Sequence, residues 1–459
     1  MKDSKRHPVG TITKPRLVDG PVGKTLIKLT IPMILGIVSM VIFNLADTFF
    51  VGRLGTNELA ALSFTFPVVL VINSLALGLG IGASAVISLA IGEGSHDKVQ
   101  RLTTDSLVLS VLVVAFFVIL GLFTIDPLFR SLGAPSEIIP LIEQYMRIWY
   151  LGVLFVVVPM VGNNAIRASG DTLTPGLIMM MAAGLNMILD PLLIFGIGPF
   201  PRIEIAGAAL ATVIGRAISL CVSLIVLHYR KKMITSVLVP LKSVVLSWKQ
   251  ILYIGLPTAG TRIIIPLGIG VITRLVASYG PEAVAGFGVS ARIEFFAMTV
   301  VMALASVIGP FVGQNWGAGV YARVELGVRN SKQFSLGWGL FIFILLAVLA
   351  RPIASMFNKN PAVISAIVKY LRIVPLGYGF YGILVLAASV LNVLKKPFHA
   401  AFLSVVQMFL LCIPMAYAGS RFFGLPGIFT AIVVSYFVSG IMAHVVQLTI
   451  LAREKKYPV

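Results

Sequence analysis

The sequence predicts an all-α integral membrane protein with twelve transmembrane helices, arranged as two parallel six-helix repeats around a central cleft. Apolar residues make up 58% of the 459-residue chain, and the mean hydropathy is +0.99. Soluble domains hold roughly 45–50% apolar residues. The apolar residues fall in long unbroken runs, each able to cross a hydrocarbon layer of roughly 30 Å as a helix. Barrel strands would show short alternating segments instead. One shift of 225 residues then lays the second half of the chain on the first, so the runs form two sets of six.

The first expected span, 24–50, carries Pro32 near its start and Asn44 and Asp47 near its end. It extends past the length of a signal core and lacks a small-residue cleavage pattern, so it reads as a retained helix. The second, 60–90, contains Gly78-Leu-Gly80-Ile-Gly82-Ala83-Ser84, a small-residue run that lets another helix come close. The third and fourth are expected over 103–125 and 145–168, the latter with Asn163 and Asn164. Met179-Met180-Met181, Asn186 and Asp190 lie in the fifth, 175–196, and Thr212 in the sixth, 205–228. The second set is expected over 249–275, 284–312, 333–354, 366–391, 398–418 and 425–450. The organisation is therefore a tail over 1–23, a lobe over 24–228, a loop over 229–248, a second lobe over 249–450 and a tail over 451–459.

The repeat is carried by residues that share one offset. Pro32 meets Pro257, Gly55 meets Gly280, Ala60 meets Ala285, and Gly92 and Gly94 meet Gly317 and Gly319. Pro127 meets Pro352, Tyr145-Met-Arg147-Ile148 meets Tyr370-Leu-Arg372-Ile373, and Gly152 meets Gly377. Six spans per half return the chain to its starting side, so the halves are related by an axis along the membrane normal.

The net charge of +19 would fit a nucleic-acid partner if it were spread over a surface. It is instead clustered on one side of the spans: Lys2, Lys5, Arg6, Lys14, Arg16, Lys24 and Lys28; Lys98 and Arg101; Arg167; Arg230 to Lys232, Lys242 and Lys249; Arg323, Arg329 and Lys332; Lys395 and Lys396; Arg453 to Lys456. That bias places both termini in the cytoplasm and argues for a membrane rather than a nucleic acid. Cys221 and Cys412 both sit in apolar runs and make no disulfide framework.

Ionisable residues inside the spans carry the functional reading, because a charge at mid-bilayer costs on the order of 2.5–3.5 kcal/mol and needs a cavity or a partner. Asp47, Asp190 and Thr212 fall at similar expected depths on three spans of the first half. Asn44 and Asp47 are three apart and Asn186 and Asp190 four apart, so each pair shares a helix face. Pro191 frees the carbonyl of Met187 beside Asp190. Such a set suits a carboxylate that carries a proton, or oxygens that hold a sodium ion at Asp47, Asn186, Asp190 and Thr212; the residue types leave both open. Adjacent Asn163 and Asn164 cannot both face one cavity. In the second half Asp47 meets Ile272, and the acid inside the spans is Glu294, with Arg292, Arg262 and Arg274 as candidate ion-pair partners; a substrate or coupling role at a polar site of Glu294 and Arg292 is the alternative. Pro32 is a candidate hinge. His7, His96, His228, His399 and His444 are scattered and read as interfacial.

There is no phosphate-binding glycine and lysine loop, metal-ligand cluster or nucleophilic triad in the sequence, so neither an enzyme nor a cofactor is expected. The 28 Phe, 12 Tyr and 16 Met would suit a cleft for small hydrophobic or cationic organic molecules. Membrane lipids are the other expected partner, with no obligate protein partner inferred.

Pro32, Ala46-Asp47-Thr48 through Gly52 with Gly55, Ile166-Arg167-Ala168-Ser169-Gly170-Asp171, Gly255-Leu256-Pro257 and the duplicated plan resemble the multidrug and toxic compound extrusion (MATE) family. The likeness spans about 20 to 450, and within the family the sequence looks like the bacterial and archaeal DNA-damage-inducible (DinF-like) branch. It implies an antiporter that exchanges organic substrates for protons or sodium ions in the bacterial inner membrane. It further implies a coupling site in the first lobe, at Asp47, Asn186, Asp190 and Thr212 with Asn163 or Asn164, and bending of the first helix at Pro32. A flippase for a lipid-linked saccharide shares the duplicated plan and is the competing expectation.

Overall fold

The computed structural model describes residues 17–237 and 240–456. The basic residues Lys2, Lys5, Arg6, Lys14 and Arg16, with His7, lie outside the described residues. In the first lobe the helices are α1 (Val22–Gly52), α2 (Thr56–Gly92), α3 (His96–Ser131), α4, α5 (Leu173–Phe195) and α6 (Glu204–Arg230). Helix α4 is two segments, Ile139–Gly152 and Leu154–Ala168, bent by 42°. The second lobe holds α7 (Leu241–Ala277), α8 (Pro281–Gly317), α9 (Tyr321–Phe357), α10 (Pro361–Val393), α11 (397–423) and α12 (425–456). Gly424, at φ 64°, interrupts the last long helix and makes it two spans.

The helices run several residues past the expected apolar cores, because polar first and last turns continue the helix outside the hydrocarbon. The same effect shortens the expected 229–248 loop. Helix α6 continues to Arg230, and α7 begins at Leu241, where the Pro240 carbonyl accepts the Ser243 amide at 2.8 Å. Likewise α12 extends through 456 into the expected C-terminal tail. The remaining linker runs beside α3, held by Gln100 and Thr104 to Lys232 and Thr235.

Repeat-matched glycines have repeat-matched work. Gly94 and Gly319 turn the chain after α2 and α8 at φ of 74° and 73°, a region that a side chain strains. Gly92 and Gly317 pack on each other, and Ser88 packs on Gly313, its own equivalent at the same offset. Equivalent residues that touch must lie on the symmetry axis. Thus α2 and α8 cross there, and both are the most enclosed helices of their lobes.

The lobes meet at the end that carries the described parts of both termini. Gly78 and Gly82 of α2 pack on Gly255, Ala259 and Ile251 of α7. Gln314 donates to the Ala168 carbonyl at 2.7 Å and accepts the Leu17 amide at 3.1 Å. Arg323 donates to the carbonyls of Leu17, Asp19 and Gly20, and Trp248 donates to Asp105. Among the described residues, every hydrogen bond between the lobes lies at this end, so the cleft opens toward the opposite face.

Candidate functional site

Helix geometry brings the first-lobe candidates to one level. Asp47 and Asp190 each stand five residues from the far ends of α1 and α5, about 8 Å in, and Thr212 stands about 12 Å into α6. The Asn186 amide donates to the Thr212 hydroxyl at 3.2 Å, and Gly215 leaves room beside the Asn186 carbonyl. Asp190 is fully buried, with both carboxylate oxygens lacking a hydrogen-bond partner; one oxygen of Asp47 and the Asn186 carbonyl oxygen are also buried and unpartnered. Asp47 and Asp190 are electrostatic neighbours.

Tyr145, six residues into α4, adjoins both carboxylates and is 6% exposed. The sequence presents it only as half of the match with Tyr370, and that match was the available signal. Below the cluster a crevice of about 180 Å³ is lined by Met40, Phe43, Asn186, Thr212 and Arg216. A water-sized sphere does not fit into it.

The asparagines of α4 do not join this group. Asn164 donates to the Met160 carbonyl, accepts from Arg167 at 2.5 Å and packs on Gly80 of α2. Asn163 has a buried, unpartnered oxygen, but its neighbour Gly162 packs on Ser223, roughly 16 Å along α6 from Thr212. Pro32 lies against Gly176 in the first turns of α5, where α1 and α5 cross closely.

In the second lobe Glu294 is held by phenols rather than by an arginine. The hydroxyls of Tyr370 and Tyr436 donate to its two oxygens, the latter at 3.0 Å, with Tyr378 beside the same carboxylate. Tyr436 stacks on Tyr381 at 4.6 Å between ring centroids. Arg292 is exposed and takes no part. Two residues apart on a helix, Arg292 and Glu294 point to opposite sides, which corrects the expected pairing. Two further buried polar groups escaped sequence reading. Asp105 of α3 neighbours Ser247 and Arg101, and Lys332 of α9 lies 2.9 Å from His444 Nδ1 of α12. Neither the early position of Asp105 in its run nor the separation of Lys332 from His444 marks these contacts. Among the described residues no group of three His, Cys, Asp or Glu gathers as a metal site.

A family profile described as MatE matches residues 32–192 and 257–418, once in each lobe and starting at the two equivalent prolines. The chain belongs to the MatE family. Members of this family are transporters rather than enzymes. Over 428 residues, 93% of the chain and 95% of its relative, it is 38% identical to a FAD transporter of Shewanella oneidensis. It is 25% identical to the multidrug export protein MepA of Staphylococcus aureus over 90% of the chain and 91% of that protein. The fold superposes with a TM-score of 0.90 on the Vibrio cholerae MATE transporter VcmN in its bent form, at 31% identity, covering 95% of this chain and 98% of that one. This MatE protein is accordingly a multi-pass membrane transporter.

Proposed function

We propose that the chain is a proton-coupled antiporter of the bacterial cytoplasmic membrane, with both termini cytoplasmic, which exports small organic molecules by alternating access. The observation that carries the proposal is Asp190, buried beside Asp47 and Tyr145 with neither carboxylate oxygen bonded. A bare carboxylate so placed costs on the order of several kcal/mol, and a bound proton removes the charge. Protons enter from the outside while the cleft is open, load Asp190 and Asp47, and leave to the cytoplasm after closure. Pro32, at the crossing of α1 and α5, is the point at which α1 changes its bend as the first lobe repacks. The basic clusters on the terminal face support the orientation. The relative named for FAD transport supports an organic cargo, and the one named for multidrug export supports outward movement.

Sodium coupling is the second reading, favoured by the same unpartnered oxygens of Asp47, Asn186 and Asp190. The test is uptake of FAD and of a fluorescent organic cation into proteoliposomes, driven separately by a proton gradient and by a sodium gradient. Uptake under the proton gradient alone is expected. Uptake under sodium alone would transfer the same residues to cation ligation, and silence under both with folded protein would end the antiport proposal.

A further inference from the structure

Among the described residues, Arg216 of α6 and Arg262 of α7 are among the arginines inside the spans that no carboxylate pairs with. The contact that Arg216 makes is to the Met40 sulfur at 3.8 Å, and the polar neighbour of Arg262 is Tyr381. An isolated charge at such depth is costly, and a protein retains one where it faces a cavity and a partner.

The position of Arg262 fits a partner in the cleft, and that of Arg216 places a second positive charge in the first-lobe crevice. Gly255 and Ala259 pack on Gly78 of α2, and Arg262 continues that stripe of α7 at the i, i+4, i+7 spacing. It is thus one turn beyond Ala259 toward the far end of α7, and its side chain is exposed there. Arg216 lies one turn below Thr212 in the first-lobe crevice, on the terminal-face side of the carboxylates. Measured from the far ends of their helices, the two are at similar depths of about 18 Å and about 22 Å. Tyr381, the neighbour of Arg262, stacks on Tyr436 with the rings 25° from parallel, and Tyr436 donates its hydroxyl to Glu294.

We infer that the cleft takes an organic anion, one bearing a phosphate or carboxylate group on a planar aromatic body. The Arg262 guanidinium anchors the anionic group, which it can grip with two parallel N–H bonds. Arg216 supplies the second positive charge from the opposite lobe, and the tyrosine pair receives the ring. This substrate class departs from the cationic compounds that the aromatic composition alone suits. It rests on the antiporter reading only in concerning the same cleft. Coupling to an anion then works through repacking of the first lobe, because charge competition at Asp190 would act on a cation.

The test is equilibrium binding to the full-length protein in nanodiscs, without any gradient, followed by fluorescence anisotropy of FAD, riboflavin and ethidium. Riboflavin has the flavin ring without the phosphates. FAD is expected to bind at least about tenfold more tightly than riboflavin, and Arg262→Gln to remove most of that difference while leaving riboflavin binding in place. Arg262→Lys should keep part of it, since the charge remains and the fork is lost. Unchanged riboflavin binding shows that the variants are folded. Equal affinity for FAD and riboflavin, an unaltered FAD affinity in Arg262→Gln, or ethidium binding where FAD does not would each overturn the inference. With no gradient present, a failure of proton coupling would leave these outcomes untouched and would show only in the driven uptake assay.

Discussion

The two lobes share a scaffold and differ in where they keep their charge. At the offset that maps Pro32 on Pro257, Asp47 falls on Ile272, and residues 361–450, which span the counterparts of α4 to α6, hold no Asp or Glu. Glu294 in turn falls on Val69. Tyr145 and Tyr370 remain equivalent, and each adjoins a carboxylate of its own lobe that arrived from a different helix. The first-lobe carboxylates are left without donors, whereas Glu294 is given two phenols. Duplication therefore preserved the packing frame and the tyrosine, while the acid was free to move among helices that border the same space. A carboxylate without donors is suited to exchange an ion; one with donors is suited to stay put.

The largest expected difference between the lobes is in driven transport. Asp190→Asn should reduce proton-driven uptake to background while the protein still reaches the membrane and runs as a single species in detergent. Glu294→Gln should leave uptake within about tenfold of wild type, because its amide oxygen still accepts from one tyrosine and its NH2 can donate to the hydroxyl oxygen of the other. Equal and complete loss in both variants would mean that the lobes share the coupling work. Removing a single hydroxyl tests the same contrast more finely. Tyr145→Phe should lower driven uptake several-fold, whereas Tyr370→Phe should spare it and cost about 1.5–3 kcal/mol of stability, the range for a hydrogen bond to a charged group. Thermal unfolding and uptake measured on both variants would separate the two effects, and a transport defect confined to Tyr370→Phe would reverse the assignment.

Much of this contrast was legible in the sequence, and the rest had physical reasons to be hidden. Hydropathy and the shared offset were enough for twelve spans, since a bilayer imposes length and apolarity on each one. Depth along a helix follows from counting residues, so Asp47, Asp190 and Thr212 could be placed on one level. Rotation about the helix axis does not follow from counting. Hence Asn163 and Asn164 could not be told apart, Arg292 was offered as a partner for Glu294, and Arg262 had no assigned facing until its stripe was seen to continue from Gly255 and Ala259. Contacts between distant helices, such as Lys332 with His444 or Tyr436 with Glu294, leave no local spacing to read.

The smallest expected effect concerns a tie that both lobes make with opposite polarity. After α4, Asp171 pairs with Lys231 at 2.7 Å, linking that turn to the end of α6; after α10, Lys396 pairs with Glu454 at 2.9 Å near the end of α12. Asp171 and Lys396 are equivalent at the repeat offset, so the sign of the tie is exchanged while its mechanical place is kept. The environments differ: the side chains of the first pair are 9% and 7% exposed, those of the second 35% and 18%. Burial alone would push the Asp171 carboxyl up, but the Lys231 ammonium and the Thr174 amide and hydroxyl outweigh it and hold the group below the usual carboxylate range. A group depressed in the folded state contributes stability that is present above its unfolded pKa, about 3.9, and is lost as the pH falls through the lower folded value. Asp171→Asn should thus cost about 1–3 kcal/mol near neutral pH, and the deficit should persist down to about pH 4 before shrinking. Glu454→Gln should cost less than about 1 kcal/mol, as expected of a pair reached by solvent. Thermal stability of the two variants across pH 3–8 tests both statements. A deficit in Asp171→Asn that vanished already near pH 6 would mean that burial, rather than Lys231, governs that carboxyl, and that the buried tie does not hold the first lobe's turn more firmly than the exposed one holds the second's.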